Sequence, residues 1–165
     1  MENYDEILEQ LSKYRHKHGL YIIRPNDIQV LKDICLHLNY DFKSEVAYIG
    51  KGAKTKSSDL GTRGKQEMGW SNFEGATFVK KIGLYLGFDV KNKTNKILQE
   101  NTREFICSNF TIEFIEFNFD TNLIEKETEY IELFMPCLNV KKNHITTTPL
   151  GAVSLTTSTR SSISD

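Results

Sequence analysis

The sequence has few of the residues that stabilise small folds through covalent or metal cross-links. Its three cysteines, Cys35, Cys107 and Cys137, are odd in number, far apart and in no Cys-x-x-Cys pair. This spacing argues against a disulfide framework and against a zinc site, and it indicates buried thiols in a reducing cytoplasm. With 165 residues, of which 39% are apolar, the chain can bury a core without such cross-links.

Long apolar runs are also missing. No stretch approaches the ~20 apolar residues that a membrane-spanning helix needs. The first residues, MENYDEILEQLSKY, are acidic and amphipathic, which is unlike the basic and then apolar layout of a secretory signal. We therefore expect a cytoplasmic protein without a membrane partner.

The chain has almost no net charge, −1 at neutral pH, so overall charge gives no reason to expect nucleic-acid binding. The charge is nevertheless uneven. Residues 51–81 contain seven Lys or Arg and three acids, whereas residues 113–132 contain seven acids and one Lys. A basic middle and an acidic later segment suit a protein that holds a polyanion on one side. Two ordinary solvated surfaces are the simpler explanation of this pattern alone.

The order of the hydrophobic patterns predicts a small mixed α/β (α+β) domain with three strands in one sheet and helices packed on it. The predicted strands are HGLYIIRP, EVAYIG and FTIEFIEFNF. Predicted helices are an N-terminal one in residues 4–16, an inserted one in NDIQVLKDICLHL, and others from Asp59 or Leu60 toward Met68, in ATFVKKIGLYLGF, in the second half of 89–108, and in DTNLIEKETEYIELFMP.

Three details of these elements stay open. The inserted helix has Asn26 or Asp27 as its cap, and the last helix has Asp120 or Asn122. The apolar residues of the third strand cannot all face one way, so that strand contains a bulge or is buried on two sides. The domain is expected to span residues 1–140, with its core at about 17–140, and the Ser/Thr-rich residues 141–165 to form an extended or mobile tail.

The residue types suggest phosphodiester hydrolysis as a chemistry to test. That reaction needs an activated water, stabilisation of charge on the phosphate and help for the leaving oxygen, and a metal ion on a carboxylate supplies part of each. Arginine matches phosphate oxygens with its planar set of donors. A tyrosine can deprotonate water only if a nearby cation lowers its pKa from ~10. Lys51, three residues after Tyr48, is such a cation.

Five motifs, in this order, resemble the GIY-YIG nuclease superfamily. They are GLY at residues 19–21, YIG at 48–50, the lysine that follows as Lys51, LGTRGKQE with Arg63, and ETEYIELFMPCLN with Glu127 and, twelve residues later, Asn139. The resemblance covers roughly residues 17–140. It implies a small three-stranded, antiparallel-type sheet flanked by helices and a divalent-metal-dependent endonuclease.

The resemblance also implies a role for each matching residue. Glu127 would bind one Mg²⁺ or Mn²⁺ ion, and Arg63 would stabilise charge on the scissile phosphate. Tyr48, with its pKa lowered by Lys51 and the metal, would act as the general base or would orient a water that acts as the base. Tyr21 would position the attacking water. A further set is expected to contact nucleic acid: Lys54, Lys56, Lys65 and Asn139.

DNA is the expected substrate, with a restriction, homing, repair or defence role, and a palindromic target would fit a homodimer. The family often has His or Tyr four residues after the arginine, where this chain has Glu67. Glu67 could pair with Arg63 or Lys51, or lie outside the site. This departure keeps open a catalytically inactive nucleic-acid-binding module of the same fold. A structural or protein-interaction domain is a third hypothesis.

Each assignment has a structural alternative. Tyr21 and Tyr48 could be core aromatics, and Asn139 could be a cap. His16 and His18 are interpreted as part of an exposed basic segment before the first strand. A metal pair and contact with the backbone of a nucleic acid are the alternatives.

Overall fold

The computed structural model describes residues 4–54, 58–71, 75–88 and 96–139. Within these ranges, every predicted strand and helix is present. Their order is α1 (Tyr4–Ser12), β1 (Gly19–Pro25), α2 (Ile28–Leu38), β2 (Tyr48–Gly52), α3 (Leu60–Glu67), α4 (Thr77–Tyr85), α5 (Lys96–Asn109), β3 (Phe110–Glu116) and α6 (Leu123–Phe134). The tail predicted for 141–165 lies outside the described residues.

The three strands form one antiparallel sheet in the order β2–β1–β3. The central strand β1 pairs with β2 through Tyr21↔Gly50 and with β3 through Tyr21↔Phe114. This confirms the α+β fold with an antiparallel sheet and a helix, α2, inserted between the first two strands.

The sheet is covered on both faces. On one face, Tyr21 and Ile23 belong to a large apolar cluster with residues of α2, α3, α4 and α5. On the other face, Ile22 and Ile49 pack with Tyr130, Ile131 and Phe134 of α6. The central strand is therefore apolar at successive positions because both of its faces are buried.

The third strand is buried on two sides and has no bulge. Its pairing with β1 runs without interruption from Gly19↔Glu116 to Pro25↔Phe110. Phe110, Ile112 and Phe114 belong to or pack against the large cluster, whereas Ile115 packs against the cluster under α6. The alternative of a two-sided strand, left open by the sequence, is the correct one.

Side-chain caps fix where three of these helices begin. The carboxylate of Asp27 accepts a hydrogen bond from the Gln29 N–H before α2, and Asn122 accepts from Ile124 and Glu125 before α6. Asp59 accepts from the Thr62 N–H before α3. Ala76, which precedes α4, offers no such side chain. An acceptor for the first N–H groups of α4 must therefore come from another part of the chain.

Cys35, Cys107 and Cys137 are buried thiols, as their spacing predicts. None of the helices in the described ranges is long and apolar enough to cross a membrane.

Candidate active site

The two tyrosines predicted for the site lie side by side on neighbouring strands. Tyr21 is paired with Gly50, and Tyr48 with Ile23. Their side chains therefore leave the same face of the sheet, and their ring centroids are 6.3 Å apart. Tyr21 is 1% exposed and Tyr48 8%. Both tyrosines are part of the core. A role in the core therefore does not rule out a role at the site for these side chains.

Gly50, the last residue of the YIG motif, makes this arrangement fit. A Cβ atom built on Gly50 would lie 2.3 Å from both the Cζ and the hydroxyl oxygen of Tyr21. A side chain at this position would therefore displace the Tyr21 ring. Glycine is needed at position 50 because the ring of Tyr21, from the first motif, packs directly over its Cα.

The surroundings of the tyrosines raise the pKa of both hydroxyl groups. For Tyr48 the largest cause is burial and the next is the charge of Glu67, while a hydrogen bond with Thr77 acts in the opposite direction. For Tyr21 the causes are again burial and then Glu67. In the absence of a metal ion, the direction of the Tyr48 pKa shift is therefore opposite to the one predicted from Lys51, because burial dominates. Tyr48 is therefore a neutral phenol at pH 7.

Glu67 supplies the cap that α4 lacks. This carboxylate is fully buried. Its Oε1 atom accepts hydrogen bonds from the N–H groups of Phe78 at 3.0 Å and Val79 at 3.3 Å. Its Oε2 atom accepts a hydrogen bond from the Tyr21 hydroxyl at 3.3 Å. Burial raises the pKa of Glu67 to about 7, even though all of these donors favour the ionised form.

Arg63 lies between these buried groups and the surface. It is on α3, one turn before Glu67, and its guanidinium is close enough to the Tyr21 side chain for the two to affect each other's pKa. Its Nη1 atom donates to Gln66 Oε1 at 2.6 Å, and its Nη2 atom donates to the carbonyl of Gly75 at 3.0 Å. Of the two partners considered for Glu67, Arg63 is near enough for its charge to lower the pKa of Glu67, whereas Lys51 pairs with Glu127.

The predicted metal ligand, Glu127, lies on the opposite face of the sheet. It is on the side of α6 that carries Tyr130, Ile131 and Phe134 into the core. Its Oε1 atom is 2.5 Å from Lys51 Nζ, and the two side chains are 20% and 41% exposed, respectively. The other acids of this helix that sequence alone could not rule out are all exposed: Glu125, Glu129 and Glu132.

The two groups of residues meet at the end of β2. A cavity of about 580 Å³ is lined there by Lys51 and Arg63, together with His18, Ser58 and residues 121–124; we call it the site cavity. Glu127 is paired with Lys51, and Tyr21 and Glu67 are buried neighbours of Arg63. Of the predicted catalytic side chains, the structure therefore places Lys51 and Arg63 at the opening, whereas Tyr21, Tyr48 and Glu127 are not among its lining residues.

The described part of the chain contains no group of three or more His, Cys, Asp or Glu side chains that could hold a metal ion. Glu127 is a single, partly exposed carboxylate. One carboxylate suits Mg²⁺, which commonly keeps several water ligands and takes the remainder from substrate phosphates. The residues present therefore fit an ion shared between Glu127 and a phosphate, and they do not fit an ion held by the protein alone.

The residues predicted to contact nucleic acid are scattered. The ammonium group of Lys54 lies 3.9 Å from the centre of the Phe119 ring, near the site cavity. Lys65 lines a different cavity, of about 370 Å³, with Trp70. Lys56 lies outside the described residues. For these lysines, contact with nucleic acid stays a prediction.

Asn139 has a structural role. Its side chain accepts a hydrogen bond from the Ile49 N–H and donates one to the Ile49 carbonyl, both at 2.8 Å. It therefore pairs with the edge strand β2 as a neighbouring strand would. This geometry favours the structural alternative for Asn139 over the predicted contact with nucleic acid.

Sequence reasoning missed two residues at the site. His18 is buried, with Nε2 3.1 Å from the Thr121 carbonyl and Nδ1 3.4 Å from the Lys54 N–H. The interpretation of His18 as part of an exposed basic segment is therefore wrong, although His16 is exposed. For Glu67, the sequence suggested an ion pair but not its role as the cap of α4. The alanine before α4 was the available signal that a distant acceptor was needed.

Comparison with known families identified one domain. The family model for the GIY-YIG catalytic domain matches residues 19–160, which is most of the chain. No curated protein and no solved structure gave a significant match.

Proposed function

This chain belongs to the GIY-YIG catalytic domain family, and we propose from that premise that it is a divalent-metal-dependent endonuclease acting on DNA. The family is one of nucleases, so the reaction class is hydrolysis and the substrate class is nucleic acid. The observation that supports the proposal is a cavity lined by Lys51 and Arg63, with Glu127 paired to Lys51 and the two tyrosines side by side in the core.

Arg63 is the residue that we assign to the scissile phosphate. Its guanidinium is held by Gln66 and by the Gly75 carbonyl, and it lines the site cavity. A fixed cation in a partly buried site stabilises negative charge without having to reorganise during the reaction. Its planar donors suit the non-bridging oxygens of a phosphate.

Glu127 is the residue that we assign to the metal, Mg²⁺ or Mn²⁺. The ion, when bound, would polarise the phosphate and help to neutralise the leaving oxygen. Lys51 holds Glu127 in the chain alone. Since both side chains are partly exposed, Lys51 can release the carboxylate and interact with the phosphate instead.

Tyr48 is assigned to the attacking water. Because burial raises its pKa, the phenol is protonated at neutral pH, and we propose that it orients this water by hydrogen bonding. Tyr21 hydrogen-bonds to Glu67, and its hydroxyl is a neighbour of the Arg63 guanidinium. Its role is therefore to hold Arg63, and this replaces the direct contact with water that the resemblance implied.

The test is incubation of the protein with plasmid DNA, single-stranded DNA and RNA, with Mg²⁺, with Mn²⁺ and with chelator. We expect cleavage of DNA that needs the ion and that is lost in Arg63→Ala and in Glu127→Ala, while salt-sensitive DNA binding persists. Full cleavage by a pure Arg63→Ala protein would contradict the assignment. Binding without cleavage by the unsubstituted protein would favour an inactive binding module of the same fold.

A further inference from the structure

Glu67 carries more charge than its structural role requires. It caps α4 and accepts a hydrogen bond from Tyr21. A glutamine of the same shape could accept the same two backbone hydrogen bonds and would introduce no charge into the core. A fully buried carboxylate is unfavourable unless its charge is compensated. The presence of an acid at this position therefore calls for a reason besides helix capping.

The direction of the hydrogen bonds gives that reason. A carboxylate can only accept, so the Tyr21 hydroxyl must donate its single proton to Glu67. The lone pairs of the hydroxyl oxygen are then available to Arg63, whose guanidinium can only donate. With glutamine or a protonated acid at position 67, the side chain can donate to the Tyr21 oxygen. The hydroxyl proton must then point elsewhere, and it competes with the Arg63 N–H groups.

We propose that Glu67 is a positioning residue of this site: in its ionised form it fixes the direction of the Tyr21 hydroxyl and, through that hydroxyl, the orientation of Arg63 at the site cavity. Hydrogen bonds run from the N-terminus of α4 through Glu67 to Tyr21, and the Arg63 guanidinium lies next to that hydroxyl. The inference rests on the nuclease activity proposed above, because Arg63 is the residue assigned there to the phosphate.

The ionisation of Glu67 then controls the site as the pH changes. The groups that face it are Tyr21 on β1, Tyr48 on β2, Arg63 on α3 and the first N–H groups of α4. Of these, only Arg63 is charged at neutral pH. Burial places the pKa of Glu67 at about 7. The network is therefore complete above about pH 7 and incomplete below it.

The experiment compares the unsubstituted protein, Glu67→Gln and Glu100→Gln. Glu100 is exposed on α5 and serves as the matched control. Cleavage of a DNA substrate with Mg²⁺ is measured from pH 5.5 to 9. We expect kcat of the unsubstituted and Glu100→Gln proteins to rise through about pH 7. In Glu67→Gln, kcat should be about tenfold to hundredfold lower at pH 8 and lack this rise, with KM little changed.

A second measurement follows Arg63 without relying on activity. The NMR signals of the Arg63 guanidinium nitrogens should shift between pH 6 and 8 in the unsubstituted protein and stay constant in Glu67→Gln. Two outcomes would overturn the inference and leave the nuclease assignment intact. One is DNA cleavage without any pH-dependent shift of the Arg63 NMR signals, and the other is a Glu67→Gln protein whose kcat has the same pH profile as the unsubstituted protein. Coupled shifts without any cleavage would remove the nuclease proposal and leave only the Glu67–Arg63 coupling.

Discussion

The candidate site has two halves that differ in burial. The buried half, Tyr21, Tyr48 and Glu67, lies under α3 and α4, and its polar groups are held by hydrogen bonds in the core. The open half, Lys51 and Glu127, lies on the α6 face, where solvent reaches both side chains. Buried polar groups are strongly destabilising when a partner is lost, whereas an exposed ion pair exchanges partners at little cost. The comparison suggests that the buried half holds the site residues in fixed positions and that the open half binds the metal ion and the phosphate.

The largest expected effect on stability concerns Asn139, which ties the edge of the sheet to the chain after α6. Asn139→Ala leaves the buried N–H and carbonyl of Ile49 without partners. Each unsatisfied group costs ~1–3 kcal/mol, so we expect the free energy of unfolding to fall by about 4 kcal/mol. Urea unfolding followed by circular dichroism measures this loss.

Asn101→Ala is the control for that substitution, since Asn101 is exposed on α5 and its replacement should change stability by less than about 0.5 kcal/mol. An equally small effect in Asn139→Ala would show that the pairing with Ile49 is not needed. Loss of DNA affinity in a folded Asn139→Ala protein would instead restore the predicted contact with nucleic acid.

The second effect is on the pH dependence of stability. The folded-state pKa of Glu67, about 7, lies above its ordinary value of 4.5 because of burial. The folded chain therefore binds this proton more tightly than the unfolded chain does. As pH rises from about 4.5 to about 7, this group should lower the free energy of unfolding by about 3 kcal/mol.

Glu67→Gln lacks that titration, so the difference in stability between the two proteins isolates it. Asp59, whose pKa is lowered by backbone hydrogen bonds that outweigh its burial, titrates in both proteins and cancels. Chemical unfolding at several pH values should show the unsubstituted protein losing stability relative to Glu67→Gln across this window. Parallel curves would mean that Glu67 titrates normally and that the buried half contains no unusual charge.

The third effect tests the fit between the two strand motifs. Gly50→Ala places a methyl group against the Tyr21 ring, whose Cζ lies 2.3 Å from the built Cβ. Overpacking of this kind typically costs ~1–3 kcal/mol, and we expect about 2 kcal/mol. A double-mutant cycle with Tyr21→Leu is the control: the penalty of Gly50→Ala should shrink once the ring is gone. An unchanged penalty would place the clash somewhere other than at Tyr21.

The sequence was sufficient to predict the helices and strands and their order, because these depend on local patterns. The spacing of Glu127 from Tyr130, Ile131 and Phe134 puts it on the inward side of α6. That periodicity could have separated it from Glu125 and Glu129, which are exposed.

The environment of those residues could not be predicted, because it depends on contacts between distant segments. Glu67 caps α4 by accepting a hydrogen bond from the N–H of Phe78, which lies eleven residues later in the chain. The His18 ring contacts both the Lys54 N–H and the Thr121 carbonyl. Burial decided the pKa of Tyr48 and reversed the direction expected from Lys51 alone. The acids of residues 113–132 also proved to be partly neutralised, for example by the Arg24–Glu113 and Lys17–Glu116 pairs.

The smallest expected effect on stability belongs to the open half. Lys51→Met removes the ion pair with Glu127, in which the lysine side chain is 41% exposed, and solvent screening should limit the loss to less than about 1 kcal/mol. Lys17→Met is the matched control, since Lys17 is 42% exposed and 3.3 Å from Glu116. Both proteins should therefore unfold at nearly the same urea concentration. Only Lys51→Met should lower Mg²⁺-dependent cleavage, because Lys51 lines the site cavity. A large loss of stability in Lys51→Met would mean that this pair is structural and that the two halves of the site do not differ.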